Sequence, residues 1–70
     1  MVVKGIVSAI DIEAMTVDVI LPEYNKVVVR PDSQYTRDVL ERLKVNDFVL
    51  VVVFNNDFTD TFLLLPGIQM

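Results

Sequence analysis

The run Phe48-Val49-Leu50-Val51-Val52-Val53-Phe54 constrains this chain more than any other stretch. It is unbroken in apolar residues and rich in β-branched and aromatic side chains, which favours a strand. It is too short to cross a membrane as a helix. Asn46-Asp47 opens it with turn chemistry, and Asn55-Asn56-Asp57 closes it. Side chains alternate across a strand. Val49, Val51 and Val53 therefore share one face, and Phe48, Leu50, Val52 and Phe54 share the other. Both faces are apolar, so the domain covers both or a partner covers one.

The rest of the composition sharpens that choice. Seventy residues make a single domain, residues 1-70, and a chain this short buries only roughly 60–65% of the surface its unfolded form exposes. Cysteine and histidine are both absent, so neither a disulfide nor a His/Cys zinc cluster adds stability. With 53% hydrophobic residues, the chain is expected to bury surface against another chain. A net charge of −4 disfavours nucleic acid and anionic membranes alike. Met1-Val2-Val3-Lys4 lacks the features of a secretory signal, so synthesis and folding in the cytoplasm are expected, without membrane insertion.

Five strands and one helix follow in order. Val2 to Ile10 reads as the first strand, with Val3, Val7 and Ala9 on one face. Gly5 between them suggests a bulge or bend. Asp11 to Met15 connects to a second strand, Thr16 to Leu21. Pro22-Glu23-Tyr24-Asn25 is a hairpin turn, and Lys26 to Arg30 is the third strand. The period then changes. Tyr35, Val39, Leu40 and Leu43 fall on one helical face, with Arg37–Glu41 and Asp38–Arg42 as exposed pairs. A helix is predicted near Gln34 to Leu43, capped by Ser33 or Thr36. The fourth strand is the opening run. The fifth is Thr61 to Leu65, ended by Pro66-Gly67.

The fold class is all-β with one short helix. The order β-β-β-α-β-β and the bent first strand match a five-stranded oligonucleotide/oligosaccharide-binding (OB) barrel, with an SH3-like barrel as the competitor. The inward set is expected to include Val7, Val17, Val19, Val27, Leu40, Val49 and Val51. OB barrels that bind single strands use a basic, aromatic face on strands two and three. Here the outward residues are Thr16, Asp18, Ile20, Lys26, Val28 and Arg30, none of them aromatic. Tyr24 and Phe58 are the only obvious stacking residues, and both sit in turns. Nucleic acid is therefore not the expected partner. Asn55 to Asp60 lacks the glycine and terminal glutamate of a calcium loop, and reads as a polar turn in which Phe58 is a plug for the barrel mouth or an interface residue. No nucleophile–base pair or phosphate loop is present, so neither catalysis nor a cofactor is expected.

Three stretches carry a resemblance. Lys4-Gly5-Ile6-Val7-Ser8-Ala9-Ile10-Asp11, followed by Met15-Thr16-Val17-Asp18-Val19, resembles the opening of OB modules in tailed-phage baseplate and tail-spike proteins. Leu43-Lys44-Val45-Asn46-Asp47-Phe48-Val49-Leu50-Val51 resembles their l-x-V-G-D-x-V-L-V segment, with Asn46 where the pattern prefers Gly. Asn55 to Leu63 is similar to the turn and last strand that follow. The pattern is similar to translation initiation factor one as well, but the acidic charge and the absence of bases in Gly67-Ile68-Gln69-Met70 depart from it. Spike proteins usually continue into a β-helix or needle, so a stand-alone ring, adaptor or cap is implied. The resemblance implies a non-catalytic structural subunit of a phage or prophage tail or baseplate. It would assemble in the host cytoplasm into a virion or tail-like particle. The alternative is an OB nucleic-acid-binding module. Expected partners are further copies of the chain and other tail proteins, met through Phe48, Leu50, Val52, Phe54 and Phe58.

Overall fold

The computed structural model describes residues 1–64. The elements are β1 (Val2–Asp11), β2 (Thr16–Leu21), β3 (Val27–Val29), α1 (Arg37–Arg42), β4 (Phe48–Val53) and β5 (Thr61–Leu64). The strands form one antiparallel sheet in the order β3-β2-β1-β4-β5. The sheet is curled. Its long central strand β1 pairs with β4 through Val2–Ile6 and with β2 through Ile6–Asp11. Beyond β3, Asp32 makes a parallel bridge to Phe62. The Asp32 N–H donates to the Thr61 carbonyl (3.0 Å), and the Leu63 N–H donates back to the Asp32 carbonyl (2.8 Å). The chain leaving one edge of the sheet thus lies against the strand at the other edge. The predicted end of the last strand at Leu65, and its Pro66-Gly67 stop, lie outside the described residues.

The bend in β1 falls at a different residue from the one expected. Gly5 pairs regularly with Val49, and the register slips between Val7 and Ala9. Ser8 is the extra residue of this bulge, and its hydroxyl donates to the Asp18 carbonyl (3.1 Å). One extra residue reverses the alternation that follows. Ala9, expected inside, is therefore exposed, and Ile10 turns toward the core instead. Gly5 serves a close approach. A Cβ there would collide with Cγ1 of Val19 and lie 3.4 Å from both Leu21 and Val51.

The inner face follows the predicted alternation elsewhere. Val17, Val19 and Leu21 of β2 are buried, as are Val49, Val51 and Val53 of β4. Val29 and Leu63 complete this side, and Val27 is half-buried against it. The helix is shorter than expected because the backbone stays extended until Thr36, whose hydroxyl caps the Val39 N–H (3.2 Å). Ser33, the other expected cap, donates instead to the Leu63 carbonyl (2.8 Å). Leu40 of α1 and Leu43, its C-cap, enter the core, and the Arg37–Glu41 and Asp38–Arg42 pairs lie outside as predicted.

Two hairpin turns share one geometry. Asn25 and Lys26 both have φ 56°, and the Val27 N–H closes the turn on the Tyr24 carbonyl (3.1 Å). Asn55 and Asn56 repeat the pattern, with Asp57 closing on Phe54 (2.9 Å). Positive φ at both central positions defines the type I′ turn, whose best second residue is glycine. Lys26 therefore belongs to the turn rather than to the third strand. Lys26→Gly should raise stability by about 0.5–1 kcal/mol, the left-handed strain outweighing the added chain entropy. A lowered denaturation midpoint would contradict this backbone geometry.

Candidate functional site

The outer face of the sheet is built from the residues that alternate with the core. Cross-strand pairing aligns them in rows. Val28, Ile20, Ile6 and Phe48 form one row across β3, β2, β1 and β4. Lys4, Leu50 and Leu64 form the next, and Val2, Val52 and Phe62 the third. Phe48 is 78% exposed, Val2 and Val28 57% each, and Leu50 46%. Val52 is half-buried among its neighbours. Lys4 is the single charged residue in these three rows.

Of the five residues read as an interface, Phe48, Leu50 and Val52 lie together on this face. Phe54 follows the last residue of β4 and is exposed. Phe58 is elsewhere: it sits in the turn before β5, half-buried against the core. Its ring meets Tyr24 at 5.4 Å between centroids, tilted by 57°. Ile6, Leu64 and Phe62 join the face only through strand register, so sequence reasoning missed them; Ile20 and Val28, read as outward, are brought to it by the same register. The alternation of Val2, Lys4 and Ile6 against Val3 and Val7 was a usable signal.

Beyond Ile20 and Val28, the surface of β2 and β3 is different in kind. Arg30 follows β3, and its guanidinium donates to both carboxylate oxygens of Asp18 at 2.7 and 3.3 Å. Beside this pair is an open cleft of about 630 Å³, lined by Ile10, Asp11, Ile12, Glu13 and Asp18 among others. Its charge is acidic, and no aromatic ring lines it. Phosphate would meet carboxylates there, and the one guanidinium is already engaged. Arg30→Ala should change stability by only ~0–1 kcal/mol and reveal no oligonucleotide affinity to lose. Fluorescence titration with a labelled single strand checks this, and measurable binding lost in the variant would overturn it.

The hydroxyls near β3 hold structure together. Tyr35 donates to the Pro31 carbonyl (2.8 Å), beside a cleft of about 340 Å³ that also includes Ser33 and Asp32. Burial, then the carboxylates of Asp32 and Asp18, pushes the Tyr35 phenol up to about 12. A phenol whose folded pKa exceeds its unfolded value of about 10 contributes stability that is complete below pH ~10. That contribution is lost as pH rises toward about 12. Because it removes the hydrogen bond to the Pro31 carbonyl, Tyr35→Phe should be less stable than the parent at neutral pH, and the difference should shrink across that alkaline window as the parent's phenol ionises. A constant difference would show the phenol to be unshifted.

Among the described residues, no group of carboxylates is placed to hold a metal ion. In the turn Asn55–Asp60, Asp57 accepts from the Thr59 N–H (2.9 Å) and hydroxyl (2.6 Å). These bonds hold its pKa below the usual carboxylate value. The carboxylate thus serves its own turn. Also among the described residues, no helix is long and apolar enough to cross a membrane. No protein-family model matches the chain, and no curated protein or solved structure is significantly similar to it.

Proposed function

We propose that this chain is an OB-like barrel acting as a non-catalytic assembly subunit, of the kind used in phage or prophage tails and baseplates. The apolar outer face carries the reading, because soluble monomers rarely leave a contiguous patch of several hundred Å² bare. Three further observations support the barrel. The bulge at Ser8 bends β1 so that its two halves serve different neighbours. The Asp32–Phe62 bridge runs parallel between the exit of β3 and β5, where a five-stranded Greek-key barrel would close. Asn46, which stands where the resembling segment has glycine, has φ 78°, a backbone glycine adopts freely. The tail-type assignment rests on that resemblance, with assembly in the host cytoplasm and residence in the particle.

Titration with labelled single-stranded DNA and RNA at low salt tests this against a nucleic-acid-binding barrel. No binding is expected. Micromolar affinity that falls steeply with salt would overturn the assembly reading. Genes for tail proteins flanking the coding sequence would support it.

A further inference from the structure

We infer that the outer face of β1 and β4 seats a second copy of this chain, face to face across a two-fold axis. The inference deepens the assembly reading and rests on it. The face is graded in size along β4. Phe48 stands out at one end, Leu50 occupies the middle, and Val2 and Val52 form a lower surface at the other end, with Phe62 half-buried beside Val52 on β5. A two-fold axis through the middle sets Phe48 of each copy over the valine end of its partner. Such an isologous contact needs only one patch, complementary to itself.

Area and charge agree with this occupant. The rows span three strands, and four in the first row, which at ~4.8 Å spacing and about five residues of length gives a footprint of roughly 14–19 × 17 Å. With its protruding side chains, such a footprint presents on the order of 600 Å² per copy, placing the pair at the lower edge of specific dimers. The total surface of one chain is 4831 Å², so the face is a substantial fraction of it. Each copy carries a net charge of −4. Asp11 ends β1, Asp18 lies within β2 and is paired with Arg30, and the other acidic residues are on loops and α1, so no carboxylate falls within the three rows. Lys4 lies in the middle row beside Leu50 and so meets its own counterpart across the axis; its aliphatic stem is long enough to lie flat and take each ammonium to the rim.

Sedimentation of the full chain from micromolar to submillimolar concentration tests the inference. The wild type should form a dimer that holds or tightens as salt rises, because its contact is apolar and its repulsion is screened. Leu50→Asp and Phe48→Asp should remain folded by circular dichroism and weaken dimerisation about tenfold or more. Glu13→Lys, in the loop after β1, should leave the dimer intact. A dimer equally strong in both face variants, or one dissolved by salt, would overturn the inference. So would a wild type that stays monomeric, which would leave the face to another part of the chain or to a different protein. The oligonucleotide titration separates the two failures. A monomer without affinity for single strands loses only the second copy, whereas a monomer that binds them loses the assembly reading as well.

Discussion

Gly5→Val is expected to unfold a large share of the molecules at room temperature. The inner side of β1 at Gly5 is filled by its neighbours, and the first atom of any side chain meets Cγ1 of Val19. That atom belongs to a β-branched side chain with few rotamers, on a strand paired to β1 at Val7 and Ile6. It cannot swing away as the end of a lysine would. Gly5→Ala should already cost about 1–3 kcal/mol, the usual penalty for overfilling a core. This reverses the gain of a few tenths to ~1 kcal/mol that alanine brings where there is room. Valine adds two further atoms against Leu21 and Val51 and should cost more. A domain of this size has only about 4–10 kcal/mol to lose. Urea denaturation of Gly5→Ala, Gly5→Val and Gly5→Ala/Val19→Ala measures the effect. The double variant should recover part of the single loss, since it removes the colliding atom. Additive losses would show that the approach of β1 to β2 is not what requires glycine.

Leu40→Ala should cost about 2–5 kcal/mol. Leu40 is buried to 1% exposure and is the residue through which α1 enters the core most deeply. A helix of six residues has little stability of its own and depends on that anchorage. Val39, half-buried on the same helix, should cost less when cut to alanine. A Leu40→Ala variant within 0.5 kcal/mol of the parent, the range of ordinary surface changes, would show that α1 is a surface appendage. Helix loss without loss of sheet would show the same.

The alternation that buries Val49, Val51 and Val53 was legible because a strand of this composition has only two faces. The helical face of Leu40 and Leu43 was legible for the same reason, through a period of 3.6. The opposite stripe of β4 was legible as apolar, and Phe48, Leu50 and Val52 do share one surface. Ala9 was misplaced because a bulge is a property of two strands together. Gly5 offered the obvious site, yet the extra residue is Ser8, whose hydroxyl finds the Asp18 carbonyl. The width of the outer face was hidden in the same way. Ile20 joins Phe48 only because each pairs with Ile6. Phe58, read as either a plug for the barrel mouth or an interface residue, packs against Tyr24 and the core, which only tertiary contact could decide.

By itself the sequence determined the strand periods, the single helix, the apolar character of both faces of β4, and the acidic charge. These follow from side-chain chemistry and local backbone preference, which act over a few residues. It also marked four of the turn positions, since Asn at positions 25, 46, 55 and 56 tolerates the positive φ seen at each, although Lys26 was read into the strand. Only the tertiary structure decided the register, the position of the bulge, the need for Gly5, and the engagement of Arg30 by Asp18. Those depend on which distant residues meet. Pairing between strands is fixed by the packing of the whole sheet, and no window along the chain contains it.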